Sequence, residues 1–406
     1  LAEASIPPRE GTSITPPVAR RLAFQLGAAT LARLVLNTSR RFAYTFAPAL
    51  SRGLGVPLPA ITRLIAINQA TGVLSPFFGP LGDRWGYRVM MLAGLSVLTA
   101  GMLAGGLVPV YGMVLLALLL AGLGKSFFDP ALQAYVGERV PYQRRGLAMG
   151  FIELAWAGSS LVGIPLIGLL IEGQGWQSPF LVLGGLGLLG SVALGSLIPR
   201  DGQQRTGDGG MISFREAWRR LSRERAALGA LGFGFLVSAG NDNLFVVYGI
   251  WLETTFGLTV VALGAATTVI GVAEFLGEGL TASISDRLGL KRALLIGLVL
   301  SALSYILLPL VGRSLWLGLA GLFVVFLTFE FTVVTSFSLF SEILPGARAT
   351  MMSSSVAALS MGRVIGALIG GPVWLAGGLM ATGLVSAALS GLALGCLVWG
   401  LRRWRA

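Results

Sequence analysis

The sequence predicts an all-α integral membrane protein: twelve transmembrane helices in two pseudo-symmetric six-helix bundles. Three observations carry that expectation. Hydrophobic residues make up 54% of the 406-residue chain and charged residues only 12%, about half the charged share of a soluble domain, and the mean hydropathy is +0.79. Twelve apolar segments follow one another, each long enough to cross a hydrocarbon core of about 30 Å. A short charged motif surrounds Asp83 and returns around Asp286, 203 residues later.

The segments run 22–50, 60–81, 88–108, 111–136, 145–171, 177–198, 226–252, 259–284, 291–311, 314–343, 348–376 and 379–400. The first carries Asn37, Tyr44 and the cations Arg33, Arg40 and Arg41. The second leads into Gly79-Pro-Leu-Gly82-Asp83-Arg84-Trp-Gly86-Tyr87-Arg88. The third, sixth and ninth carry no charge beyond their first turn. The fourth holds Lys125 and Asp129, and the fifth holds Glu153 and a Gly/Pro-rich stretch from Gly158 to Gly168. Asn241-Asp242-Asn243 is a polar triplet inside the seventh. The eighth contains Glu274 and Glu278, the tenth Glu330, the eleventh Arg363, and the twelfth no charge.

These segments divide the chain into an N-terminal arm (1–21), a first bundle (22–199), a linker (200–225), a second bundle (226–400) and a tail (401–406). The arm is polar and proline-rich from Leu1 to Pro17, lacks the basic-then-apolar pattern of a signal peptide, and is expected to be disordered. In the linker, Ser213 and Glu216 have capping-box spacing. Phe214, Trp218 and Leu221 share one helical face, while Arg215, Arg219, Arg220 and Arg223 crowd the rest. That pattern fits an interfacial helix on an anionic leaflet or a solvated linker helix.

The net charge is +12, and its placement decides its meaning. Of 30 Lys and Arg, 22 lie in the arm, the loops after even-numbered segments and the tail, whereas only Arg52, Arg63 and Arg313 lie on the other side. The positive-inside rule then puts both termini in the cytoplasm, and the expected location is the inner (plasma) membrane. The basic excess is topological, so nucleic acid is not an expected partner. The expected partners are the bilayer, a small-molecule substrate and protons, with the chain acting as a monomer. There is no His, and Cys396 is the single cysteine. This excludes Ser-His and Cys-His catalysis and an intrachain disulfide framework. The phosphate-binding loop of ATPases is missing as well. No enzyme activity, cofactor or metal is expected.

The repeat extends beyond the charged motif. Pro141 and Pro345, Glu138 and Glu342, Tyr44 and Tyr248, and Asn37 and Asn241 all recur at an offset of 204. Two parallel six-helix repeats enclose a site at mid-membrane and rock to expose it to either side. With twelve segments, a basic central loop and the Gly-x-x-x-Asp-Arg-x-Gly-x-Arg pattern after the second, the chain resembles the major facilitator superfamily over essentially its whole length. The resemblance implies a conformational gate motif at Gly79, Asp83, Arg84, Gly86 and Arg88, repeated more loosely at Asp286, Arg287, Gly289 and Arg292. It also implies that segments one, four, seven and ten line the central cavity. A purely topogenic basic turn is the alternative for the motif. The stretch from Gly158 through Gly163 and Pro165 to Gly168, followed by Gly175-Trp176, is similar to the Gly/Pro motif of the drug/proton antiporter branch, although Ile164 interrupts it. A Pro bend with no link to transport direction is the other reading. The antiporter branch carries an Arg where this chain has Leu118, which leaves Lys125 as the fourth segment's cation.

Ionisable residues inside a membrane are expensive and therefore functional candidates. Arg33, Asn37, Arg40 or Arg41, and Tyr44 recur at three- and four-residue steps and make one polar stripe. Substrate-binding candidates are Asn37, Arg40, Arg41, Tyr44, Lys125, Asn241, Asn243 and Arg363. Guanidinium groups at Arg40 and Arg41 suit bidentate capture of an anionic head, or else they neutralise acids across the cavity. Glu274 and Glu278 stand one turn apart, and two like charges so placed do not both stay ionised easily in low dielectric. Proton-coupling candidates are Asp242, Glu274, Glu278, Glu330 and Asp129, with static pairing to Arg363, Lys125 or the first segment's arginines as the alternative. The aromatic residues Phe127, Phe128, Phe245, Tyr248, Phe329 and Phe331 are cavity walls or helix packing.

The function expected is secondary active transport by alternating access: proton-coupled export of an amphipathic small molecule, anionic if the arginines bind it. A proton-coupled symporter or carrier of organic anions or anionic lipids is the alternative, and a non-transporting receptor is the reading from another class.

Overall fold

The computed structural model describes residues 16–74, 77–78, 81, 84–140, 142–199, 219, 221–344 and 348–402, and every regular element among them is helical. The linker helix expected around Ser213–Trp218 lies outside the described residues, as do Leu1–Thr15 of the arm. In chain order the helices are α1 (Pro16–Thr45), α2 (Ala47–Leu54), α3 (Leu58–Ala70), α4 (Tyr87–Leu107), α5 (Tyr111–Arg139), α6 (Tyr142–Gly158), α7 (Ile164–Gln174), α8 (Ser178–Leu197), α9 (Arg225–Phe245), α10 (Tyr248–Phe256), α11 (Val260–Leu288), α12 (Leu290–Val311), α13 (Leu315–Ile343) and α14 (Arg348–Leu401).

Among the described residues, nine helices are long and apolar enough to cross a membrane, or ten if a bent pair counts as one span. Twelve segments reduce to fewer for identifiable reasons. The five arginines of α1 dilute its hydropathy. The helical stretch after Leu58 gives way at Thr71–Leu74 to a tight 3₁₀ turn. The 54-residue α14 holds the last two segments, joined by non-helical backbone at Gly377 and Gly378. The first and seventh segments are each broken in two, at Phe46 and at Val246–Val247. The breaks fall at nearly equivalent places, as a duplicated chain requires.

The repeated motif is a repeated backbone as well. Gly86 (φ 90°) and Gly289 (φ 79°) both sit between helices in a conformation that side chains with a Cβ rarely adopt. Beyond each glycine, a basic side chain reaches the last carbonyls of its own half's final helix. Arg88 donates to Gly195 O of α8, and Lys291 Nζ donates to Leu401 O of α14 at 2.8 Å. Those carbonyls have no intrahelical partner, so a cation there is stabilising. The counterpart of Arg88 is thus Lys291, not Arg292, and both contacts stay within one half.

Packing is inverted relative to a soluble protein at the periphery. Leu188, Leu189 and Val192 of α8 and Leu303 and Leu307 of α12 are about half exposed or more, as lipid-facing positions should be. Phe42, Phe128 and Phe180 pack the first half and Phe233, Leu294 and Phe340 the second. Across the halves, α3 packs along α14 and α7 along α11. The end away from the basic turns is closed. There Thr45 Oγ1 and Tyr248 Oη lie 2.5 Å apart, Tyr248 also meets Thr267 Oγ1 at 2.9 Å, and Arg52 pairs with Glu253 at 2.6 Å. Gly249 makes this contact possible, because a Cβ there would stand 2.3 Å from Thr45 O.

Candidate functional site

The polar stripe of α1 is the spine of the site, and its members reach α3, α5, α6, α9 and α11. Arg33 pairs with Asp129 of α5 (3.1 Å) and Glu153 of α6 (2.9 Å) and donates to Ile152 O. Asn37 Oδ1 accepts from Lys125 Nζ at 2.6 Å, and Lys125 also holds Asp129 at 2.5 Å. Arg40 donates to Asn68 Oδ1 (3.1 Å) and Gln69 Oε1 (2.6 Å) of α3. Arg41 clasps Glu274 of α11 through both terminal nitrogens, at 2.6 and 3.1 Å. Tyr44 donates to Asp242 Oδ1 of α9 at 2.7 Å.

Local structure explains how α6 joins this set. Between α6 and α7 the chain makes a π-helical turn at Ser159–Gly163, just before Pro165. A wide turn of this kind displaces the ladder of carbonyls. Ser159 and Ser160 are carried inward, and Ser160 donates to Glu274 Oε2 at 3.2 Å. Trp156, one turn earlier, presents its ring to three cations: Arg41 at 4.4 Å, Arg363 at 5.5 Å and Lys125 at 5.7 Å from the centroid. Cations over an indole face are attracted to it, so Trp156 is a common platform for charges from three helices.

Arg40, Trp156, Asp242, Phe245, Phe329 and Arg363 are among the residues around a narrow central pocket with a cavity volume of about 20 Å³. Phe245 stacks on Tyr44 (4.5 Å) and Tyr248 (5.3 Å) and forms its aromatic floor. Asn241 lines the same pocket and accepts from Tyr305 Oη at 3.2 Å. Arg363 is 4.0 Å from Asp242 Oδ2. Among the described residues Arg40 has no carboxylate contact; its bonded partners there are the two side-chain amides.

The acids fall into distinct settings. Asp129 is held by two cations. Glu274 is 3% exposed and taken by Arg41. Glu330 is 8% exposed and makes no hydrogen bond or ion pair among the described residues. It packs on Gly277, between Glu274 and Glu278 in sequence, where a Cβ would meet Glu330 Cβ at 2.9 Å. Glu278 is half-buried and likewise without a bonded partner. Three carboxyls thus gather with one bonded guanidinium.

Some expected residues are placed elsewhere. Asn243 turns to α14, donating to Thr382 O and Ser386 Oγ at 3.0 Å each, away from the pocket. Lys125 and Asp129 form a network within the first half rather than pocket wall. Of the gate motif, Gly79 and Asp83 and the side chain of Asp286 lie outside the described residues, while Arg84 and Arg287 are exposed. Sequence reasoning missed Asn68, Gln69, Trp156, Ser160 and Tyr305. Adjacent amides at 68–69 inside an apolar segment were the available signal for the first two. Nothing local marked Trp156, because an aromatic residue in a span is usually packing.

Comparison with known proteins agrees with this architecture. The family model described as Major Facilitator Superfamily matches residues 29–246 and again 231–405. The uncharacterized MFS-type transporter YceJ of Bacillus subtilis (strain 168) is 29% identical over 295 residues, covering 72% of this chain and 74% of that protein. A multi-drug resistance efflux pump PmrA homolog of Lactococcus lactis is 26% identical, covering 80% and 78% respectively. The crystal structure of a bacterial homolog of the human lysosomal transporter Spinster, in an inward-facing and unoccupied conformation, superposes with a TM-score of 0.71 at 16% identity, over 94% of this chain and 95% of that one. At that identity the likeness concerns the fold alone.

Proposed function

The chain belongs to the major facilitator superfamily of membrane transporters, and from that premise we propose that it works by alternating access and exports an amphipathic small molecule in exchange for protons. The observation that carries the reading is the acid cluster of Glu274, Glu278 and Glu330, with Arg41 as its one bonded cation among the described residues. Carboxyls without a cation partner in a low-dielectric site exchange protons more readily than they hold charge. Their neighbour is a narrow pocket whose walls include the apolar rings of Phe245, Phe326 and Phe329. The similarity to a protein named as a multi-drug efflux pump homolog supports the export direction. The distribution of Lys and Arg supports cytoplasmic termini; the chain is taken to lie in the inner membrane and to act as a monomer.

A second reading, proton-coupled symport of an organic anion, is favoured by Arg40, whose charge meets only amides among the described residues. The two readings differ in sign. An anion held by Arg40 favours proton uptake at the acid cluster, so the two move together; a molecule that competes with protons for the cluster moves against them. Reconstituted vesicles with an imposed pH gradient separate them. Ethidium, a cationic dye, should leave the compartment that protons enter, and Glu330→Gln should abolish that driven flux while preserving exchange at equal pH. Co-movement of an anionic dye with protons would favour symport, and driven flux undiminished in Glu330→Gln would remove the cluster from the mechanism.

A further inference from the structure

From its donor and acceptor pattern we infer that Gln69 is a positioning residue that makes the hold on Arg40 depend on the proton occupancy of Asp242. An arginine side chain has donors only. Arg40 Nη2 lies 2.6 Å from the Gln69 carboxamide, so the amide must present its oxygen there. Its NH₂ then faces Tyr44 Oη, 2.7 Å away, and donates to it. With that lone pair occupied, the Tyr44 hydroxyl proton points at Asp242 Oδ1, also 2.7 Å away. The second arm of Arg40 is fixed in the same way. Asn68 Oδ1 accepts from Nε, and its NH₂ donates to Leu118 O at 2.5 Å. Every bond from Arg40 to Asp242 therefore runs in one direction, from guanidinium to carboxylate, through three helices.

Such a chain is held by the charges at its ends. Hydrogen bonds to an ionised group are about twice as strong as neutral ones, and linked bonds polarise one another. A proton on Asp242 makes its last bond neutral and loosens every bond upstream. Among the described residues Gln69 is the one link between Tyr44 and Arg40, and it is 4% exposed, so water does not substitute for it. The other groups around Asp242 do not duplicate this path. Arg363 of α14 stands off at 4.0 Å, Tyr305 of α12 bonds Asn241, Glu274 of α11 is occupied by Arg41, and Glu330 of α13 has no bonded partner. Loading a proton thus releases Arg40 to the pocket, which it lines together with Arg363. The inference draws its meaning from the proton-coupled reading but concerns a measurable linkage between two side chains.

The test needs neither substrate nor gradient, so its failure is distinct from the absence of pH-driven flux, which would sink the functional reading instead. The purified full chain is treated with phenylglyoxal, and arginine modification is read by mass spectrometry against exposed Arg313. Asp242→Asn, the neutral mimic of the protonated acid, and Tyr44→Phe should each raise Arg40 labelling about tenfold. Gln69→Met should raise it equally, and Gln69→Met with Asp242→Asn should go no further. Arg41, locked to Glu274, should stay protected throughout, which separates release from unfolding. Gln69→Glu holds Arg40 directly and should keep labelling low with or without Asp242→Asn. Arg40 labelling indifferent to Asp242→Asn, or an Asp242 effect undiminished when Gln69 is replaced, would overturn the inference.

Discussion

Arg41 and Glu274 join the two halves through a two-point ion pair, 2.6 and 3.1 Å, in which both side chains are 4% exposed. The pair is the most deeply buried charge contact between halves among the described residues. Replacing one member of a buried pair leaves the other charge without compensation and costs about 3–5 kcal/mol, whereas removing both costs far less. Glu274→Gln should therefore lower the thermal midpoint more than the double variant Arg41→Met with Glu274→Met. Equal losses, read by thermal unfolding in one detergent, would show that the pair is not coupled.

Gly249 touches Thr45 O where the closed end is sealed. Gly249→Ala places a Cβ 2.3 Å from that oxygen, an overlap that packed backbone cannot absorb. The expected outcome is a population in which this end stays apart. Spin labels on Leu54 and Thr255, near the ends of α2 and α10, should report a longer distance than in the native chain.

Arg52 and Glu253 latch the same end, yet the Arg52 side chain is 60% exposed. An exposed pair contributes less than about 1 kcal/mol and weakens with salt. Arg52→Ala should lengthen the same spin-label distance slightly at low ionic strength and not at all at high salt. A salt-independent effect would mean that Arg52 acts through packing.

Gly86 and Gly289 share a backbone conformation that a Cβ strains. Gly289→Ala should lower stability by about 1–3 kcal/mol, as should Gly86→Ala, because both occupy equivalent turns. The check is chemical or thermal unfolding of both variants, and a large loss at one alone would break the equivalence.

Much of this was legible in sequence because the bilayer is an unforgiving solvent. Apolar runs had to be helices, since backbone groups in lipid have no other partner. Asp242, Glu274, Glu330 and Arg363 stood out because charge in such a run is costly. Gln69 and Asn68 were legible in principle, being amides in the same kind of run. The π-helical turn at Ser159–Gly163 was only half legible. Pro165 marked a break, but the displaced carbonyls and the inward serines follow from packing against α1 and α11.

By itself, the sequence determined the duplicated helical membrane fold and the roster of buried charges, because hydropathy and the offset of about 204 are properties of one dimension. It did not determine who meets whom. Arg40 and Arg41 are neighbours in the chain and differ by about 100° around the helix axis. The tertiary structure alone gave Arg41 a carboxylate from the other half and Arg40 only amides. That division depends on which helix packs on which face of α1, and it separates a clasp between halves from a charge left for the pocket.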